Sequence, residues 1–400
     1  MQIETIRLKN FRAFQHVEFV DLPKFCVFVG PNGSGKSTLF EVFRFLREAM
    51  KGSVTSALGR LGGSRGFQEV RTRGAEGPIE VELQVRADLG SKKPKLITYL
   101  LVIDEERGKP VVVKEVLRYR RGSSGRPWHF IDFARGQGTA VTNELDERVA
   151  DVDDLKRESQ TLKSSDLLAL KALAQFERFP AALALGTLIE NWHLSDFHIS
   201  KARPEQEVGY AEHLSTEGEN LSLVIEYLRQ QHRKVFEEIL ERLARRVPGI
   251  EKVESKVTEQ GRVLLQFQDG AFEDPFLARF VSDGTIKMLA YLVLLHDPQP
   301  HPLLCVEEPE NQLYPMLLWE LAEEFRAYAR RRGSQVFVST HSPDFLNAVE
   351  LQEAFWLVKE NGVTTFRRAS DDEQLRAYVD AGDQLGYLWK EGLFEGAALR

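Results

Sequence analysis

The stretch Phe25-Cys26-Val27-Phe28-Val29-Gly30-Pro31-Asn32-Gly33-Ser34-Gly35-Lys36-Ser37-Thr38 decides the fold. Five apolar residues read as a buried strand, and Leu39, Val42, Phe43, Phe45 and Leu46 recur at helical spacing beyond the glycines. G-x-x-x-x-G-K-S between a strand and a helix is a phosphate loop in the context that confirms it. The glycines let the backbone curl so that its N–H groups form a nest for a β-phosphate at a helix N-terminus. Lys36 is expected to reach the β- and γ-phosphates, and the Ser37 hydroxyl to ligate Mg²⁺. The loop residues Gly30, Pro31, Asn32, Gly33, Ser34, Gly35, Lys36, Ser37 and Thr38 therefore predict binding of a nucleoside triphosphate.

The bulk numbers are those of a globular protein. The 400 residues are 42% hydrophobic and 28% charged, enough for two or three structural units with a sizeable core. No apolar run reaches membrane-spanning length, and Met1-Gln2-Ile3-Glu4 lacks a charged-then-apolar signal pattern. Cys26 and Cys305 sit in apolar strand-like runs and read as small buried hydrophobes of a reducing compartment. The expected location is the cytoplasm. A net charge of −7 argues against a uniformly basic nucleic-acid coat but leaves local patches. The fullest patch is Lys114 with Arg118, Arg120, Arg121 and Arg126; the set Lys92, Lys93 and Lys95 is a second.

Ahead of the loop, Ile3, Ile6 and Leu8 mark one strand, Asn10-Phe11-Arg12 a corner, and Val17 to Val20 another strand. A glycine-rich loop is expected from Gly59 to Gly66. Alternating segments then follow at Ile79–Val85, Leu96–Ile103, Val111–Tyr119 and Trp128–Phe133, an antiparallel β subdomain. From about Asp151 the period becomes helical, and Thr216 with Glu219 forms a T-x-x-E capping box expected to start one of the helices. After a strand pair near 251–268, continuous apolar runs at Leu303–Val306 and Gln335–Ser339 suit a parallel sheet covered on both faces. The predicted class is α/β, a P-loop NTPase with an antiparallel β subdomain and an inserted helical domain. Residues 1–150 read as an N-terminal lobe, 151–250 as the helical insertion and 251–400 as a C-terminal lobe.

Leu303-Leu304-Cys305-Val306-Glu307-Glu308 is an apolar strand ending in two carboxylates, which suits phosphoryl transfer. Glu307 is assigned to Mg²⁺ and Glu308 to the general base. His341, closing the next strand, is placed to touch a γ-phosphate, and Ser282-Asp283-Gly284 heads a helix as an anion site. His193, Asp196 and His198 lack ligand spacing and read as core or surface groups.

The order of these motifs resembles the ATPase heads of the ABC class, in the RecF/SMC-like branch that includes the OLD-family ATPases. The carriers are Ile6-Arg7-Leu8-Lys9-Asn10-Phe11-Arg12-Ala13-Phe14, the Walker A loop, Ser282-Asp283-Gly284-Thr285 as signature, Val306-Glu307-Glu308-Pro309-Glu310-Asn311 as Walker B and D-loop, and Ser339-Thr340-His341-Ser342-Pro343 as switch. The resemblance covers roughly residues 1–85 and 275–360. It implies ATP and Mg²⁺, a head-to-tail homodimer or higher homo-oligomer, and Ser282 completing the partner's γ-phosphate site. It also implies Arg12 near the phosphates and Gln68 as the Q-loop glutamine that senses the metal. The chain departs from the family at Glu307, where Asp is usual, and at Gln312 and Tyr314 in the D-loop. About sixty residues follow Thr340, too few for the Toprim nuclease domain of OLD proteins.

The expected function is an ATP-hydrolysing switch that controls a separately encoded nuclease or toxin in DNA surveillance, repair or anti-phage defence, with double-stranded DNA as a further partner and no membrane. A nucleotide-gated scaffold with negligible turnover keeps the same contacts and stays open. A transporter's nucleotide-binding domain is disfavoured by the roughly 245 residues between Walker A and signature.

Overall fold

The computed structural model describes residues 1–90, 93–122, 125–146, 149, 151–272, 274–332 and 334–396; Lys92 of the second basic set lies outside them. The chain forms two compact units. Unit 1 contains Met1–Trp192, Leu351–Ala381 and the stretch from Glu391; unit 2 contains His193–Glu350 and Gly382–Lys390.

Along unit 1 the strands are β1 (Gln2–Phe11), β2 (Phe14–Phe19), β3 (Phe25–Val29), β4 (Ile79–Ala87), β5 (Lys95–Glu106), β6 (Lys109–Tyr119), β7 (Trp128–Ala134), β8 (Gln137–Val141) and β9 (Arg157–Thr161). All but β3 make one eight-stranded sheet in the order β2-β1-β4-β5-β6-β7-β8-β9. The first two strands thus belong to the antiparallel sheet: β1 pairs with β4 through Ile6↔Leu83 and Leu8↔Val81. Alternation in β1 puts Ile3, Ile6 and Leu8 inside, as period-2 patterning requires.

β3 is buried at every residue. It pairs in parallel with Ala354–Glu360, through Val27↔Ala354 and Val29↔Trp356, and that strand returns as a hairpin through Val363–Arg368. Parallel pairing with both faces covered is what a continuous apolar run encodes. Helix α1 (Lys36–Lys51) buries Leu39, Phe40, Val42, Phe43, Phe45 and Leu46, and Phe43 meets Trp192 edge-on at 5.1 Å.

The expected loop from Gly59 to Gly66 is instead largely helical: α2 (Val54–Gly62) and α3 (Gly66–Val70) occupy it. Ser53 and Ser56 form a reciprocal capping box, and Val54, Ala57 and Leu58 are buried, so capping and packing override the glycine propensity. Helices α4 (Ala169–Leu173) and α5 (Pro180–Glu190) complete this part of unit 1.

The span 151–250, read as a helical insertion, contributes strands as well. Polar β9 pairs with β8 through Thr139↔Ser159, and the division between units falls at Trp192 inside the span. Arg157-Glu158-Ser159-Gln160-Thr161 is an edge strand without apolar alternation, so hydrophobic periodicity gives it no signal.

In unit 2, β10 (His193–Ser195), β15 (Leu303–Glu307) and β16 (Gln335–Thr340) run parallel, with Leu194↔Cys305 and Cys305↔Phe337 in register. A smaller antiparallel sheet holds β11 (Gln206–Glu207), β12 (Ile250–Val257), β13 (Arg262–Asp269) and β14 (Phe276–Leu277). Its helices include α6 (Ile199–Ala202), α7 (Leu221–Gln231), α8 (Arg233–Arg246), α9 (Asp283–Leu295), α10 (Pro315–Arg332) and α11 (Pro343–Leu346). α9 buries every residue from Thr285 to Leu295, the pattern of a core helix. α7 begins one residue beyond Asn220, so the Thr216–Glu219 box does not cap it; Glu219 accepts from Ser215 Oγ at 2.6 Å. Among the described residues, no helix is long and apolar enough to cross a membrane.

Candidate nucleotide site

The phosphate loop in unit 1 is built by close packing. Gly33 and Gly35 have φ of 78° and 103°, conformations costly for any residue with a Cβ. At Gly30 an added Cβ would lie 2.4 Å from Ser34 Oγ and 3.0 Å from the Leu357 carbonyl. Gly35 caps α1 without any side-chain acceptor, so first-turn N–H groups remain available to an anion. Buried Lys36 donates from Nζ to the carbonyls of Gly30 (2.7 Å) and Pro31 (3.3 Å), which holds the ammonium inside the curl. Ser37 is exposed in the first turn of α1 and Thr38 half-buried.

Two observations test this loop against a phosphate ligand. Ser34 Oγ is buried without a hydrogen-bond partner among the described residues, and a Cβ at Gly30 would collide with that hydroxyl. Both fit a group that brings acceptors of its own. Thr364 Oγ1, on the returning hairpin, donates to the Ser34 carbonyl at 2.8 Å and pins the loop's outer side.

Arg12 follows β1 with φ of 49°. Its Nη2 donates to the Leu61 carbonyl at 2.7 Å and its Nε lies 2.8 Å from Glu41 Oε2. Burial pushes the Glu41 carboxyl up, against the opposing pull of Arg12 and Arg44. Arg12 and Thr38 share the wall of a cavity of about 640 Å³ with Arg71, Lys359 and Asn361. Gln68, on α3, is exposed and reaches Glu105 at 3.5 Å.

In unit 2 the carboxylates end β15. Glu307 is its last residue and half-buried; Glu308 follows at φ 42°, the left-handed region that a glutamate occupies at a cost. The strained position is fixed by Glu308 N donating to the Ser339 carbonyl at 2.9 Å. Asn311 Nδ2 donates to Glu308 Oε2 at 3.1 Å, and His341 Nδ1 lies 3.5 Å from Glu308 Oε1. Glu310 is the group sequence reasoning left without a role. Its Oε1 accepts from Thr340 Oγ1 and the His341 amide, and lies 3.4 Å from His341 Nδ1. The third acid in Glu307-Glu308-Pro309-Glu310 was the visible signal; its partners thirty residues on were not.

The signature segment caps its helix as expected. Ser282 Oγ accepts from Thr285 N at 3.2 Å and contacts Thr285 Oγ1 at 2.7 Å. Arg203 pairs with Asp283 and donates to the carbonyls of Ala278 and Arg279 at 3.0 Å, an anchor with no local sequence signal. Gly284 faces the Gln312 carbonyl, 3.1 Å from where a Cβ would sit. One turn on, buried Lys287 donates to the Asn311 carbonyl at 2.8 Å. Burial pushes its ammonium down to about 8, opposed by Glu310, Asp196 and Glu308. A lone charge in the apolar run of α9 was its signal.

Other candidates resolve simply. His193 is buried at the start of β10, while Asp196 and His198 pair with each other at 3.4 Å. In the basic patch, Arg118 reaches Glu82 at 3.3 Å and Arg121 donates to the carbonyls of Asp146 and Val149. Lys114, Arg120 and Arg126 are exposed.

A family model described as "AAA domain, putative AbiEii toxin, Type IV TA system" matches residues 25–347, from the phosphate-loop strand to beyond His341. The chain belongs to this AAA domain family. It has the P-loop NTPase fold. No curated protein matches the sequence. An SMC head crystallised with the C-winged helix domain of ScpA is similar at a TM-score of 0.57 and 15% identity, over 92% of this chain and 98% of that one. An SMC head with an extended coiled coil, bound to the C-terminal domain of ScpA derived from Pyrococcus furiosus, gives 0.50 and 13%, over 94% and 99%. At these identities the likeness of the AAA domain to SMC heads is one of fold.

Proposed function

We propose that this AAA domain protein hydrolyses ATP as a switch, two copies docking head-to-tail around Mg²⁺-ATP. The observation that supports the reading is Glu308: a carboxylate held at positive φ, hydrogen-bonded by Asn311 and facing His341. Strain of this kind persists where the surroundings over-determine it, as at active sites.

In this reading Lys36 and the loop N–H groups bind the β- and γ-phosphates and Arg12 approaches them from its cavity. Ser37 and Glu307 would hold Mg²⁺, which when bound neutralises phosphate charge. Glu308 takes the proton of the attacking water, and His341 donates toward the γ-phosphate. Ser282, Asp283 and Gly284 of the second copy complete the site, and Gln68 serves it by leaving Glu105. The family description's toxin–antitoxin wording supports control of a separately encoded effector, a nuclease or toxin, in defence or DNA surveillance. Exposed Lys114, Arg120 and Arg126 are the surface for any salt-sensitive contact with double-stranded DNA.

Phosphate release and the mass of the complex in solution test the reading together. Wild-type protein turns over ATP, and Glu308→Gln accumulates as an ATP-bound dimer. Protein that neither binds ATP nor changes mass with it sinks the proposal.

A further inference from the structure

We propose that His213, Asp297 and His301 form a site for a divalent transition metal of the Zn²⁺ type in unit 2, separate from the nucleotide chemistry. One nitrogen from each imidazole and a carboxylate oxygen all lie within 4.8 Å of one another. Asp297 Oδ2 is the hub, 2.7 Å from His213 Nδ1 and 3.9 Å from His301 Nε2. Ligands about 2.1 Å from a tetrahedral ion stand about 3.4 Å apart, a separation those two distances bracket. Two imidazoles and one carboxylate match the donor set of three-ligand zinc sites, which keep a fourth position for water. His213 supplies that access: its side chain is 39% exposed, against 4% for Asp297.

The surroundings orient the donors as outer-shell groups do around metals. Asp297 Oδ1 accepts from Gln299 N at 2.8 Å, which directs Oδ2 to the histidines. The His301 ring stacks on His193 with centroids 4.7 Å apart, and its carbonyl accepts from Tyr328 at 3.2 Å. Asn220 Nδ2 donates to the His213 carbonyl at 2.9 Å.

The place of the cluster gives its role. Asp297 follows the C-terminal end of α9, the helix headed by Ser282, and His301 lies two residues before β15. Glu307 closes the other end of that strand, roughly 13 Å along it. The metal therefore ties the signature helix, the approach to β15 and the segment before α7, and takes no part in hydrolysis.

Full-length protein stripped with chelator and dialysed into excess Mg²⁺ is titrated with Zn²⁺ by calorimetry, and its thermal unfolding followed. The proposal expects one Zn²⁺ per chain and a rise in Tm. His213→Ala, His301→Gln and Asp297→Asn should each weaken binding more than about tenfold and remove the Tm rise. His213→Ala changes a half-exposed side chain, so it remains informative if the buried variants misfold; native circular dichroism is the control. Absence of saturable Zn²⁺ binding, or equal binding by a folded His213→Ala protein, overturns the site. Displacement of Zn²⁺ by the Mg²⁺ present overturns its transition-metal character.

Discussion

Glu310 Oε1 accepts hydrogen bonds from Thr340 Oγ1 at 2.7 Å and from the His341 amide at 2.9 Å, so a carboxylate two residues past Glu308 shapes the turn that carries the histidine. Glu310→Ala leaves two donors unsatisfied, at a cost of about 1–3 kcal/mol. ATP turnover should fall roughly ten- to hundredfold with nucleotide affinity within about threefold of wild type. Glu310→Gln keeps an acceptor oxygen and should recover part of the rate. Steady-state phosphate release beside fluorescent-nucleotide titration checks both.

Lys36→Ala and Glu308→Gln should separate binding from chemistry. Removing the ammonium takes away charge-assisted bonds worth about 1.5–3 kcal/mol each, so nucleotide affinity should drop by about tenfold or more. Glu308→Gln keeps the side chain's shape and should retain affinity, while turnover falls about 10²–10⁴-fold. Equal affinity loss in the two variants would contradict the assigned roles.

Gly30→Ala tests the loop's packing. The new Cβ would meet Ser34 Oγ at 2.4 Å and the Leu357 carbonyl at 3.0 Å, and only the former can rotate away. Overpacking of this kind costs about 1–3 kcal/mol. Denaturant unfolding should show that loss together with weaker ATP binding.

Two buried acids make stability depend on pH. Burial raises Glu115 to about 7 despite bonds from Leu170 N, Ala169 N and Tyr99 Oη, and raises Glu144 to about 7 despite its bond from Tyr119. Unfolded, each titrates near its ordinary value of 4.5. Between those values the native state holds protons that the unfolded chain has released, so unfolding free energy falls as pH rises. The contribution is full below about 4.5 and is lost as pH passes about 7. Urea melts at intervals across this window should show the decline, and the Glu115→Gln, Glu144→Gln double variant should flatten it.

How much was legible follows from where the partners lie. Gly30 to Thr38 could be read because strand, loop and helix adjoin, and Glu307-Glu308 because an apolar strand ending in acids is a local pattern. The corner at Asn10-Phe11-Arg12 and the helix head at Ser282 were legible for the same reason, whereas their nucleotide roles come from the resemblance alone. Glu310, Arg203 and Thr364 were not, since each acts on residues brought near only by folding. Gly59–Gly66 misled because glycine propensity is a weak prior against capping and burial. β9 was silent because an exposed edge strand needs no apolar alternation. Asp297 and His301 are neighbours in sequence, but His213 joins them from another segment.

Thr364 grips the carbonyl of Ser34 across 330 positions of sequence. During translation, then, the loop acquires its clasp only some 330 residues after it has itself been made. Nascent chains stalled before that hairpin should bind nucleotide poorly, which keeps half-finished copies from competing with mature ones for ATP.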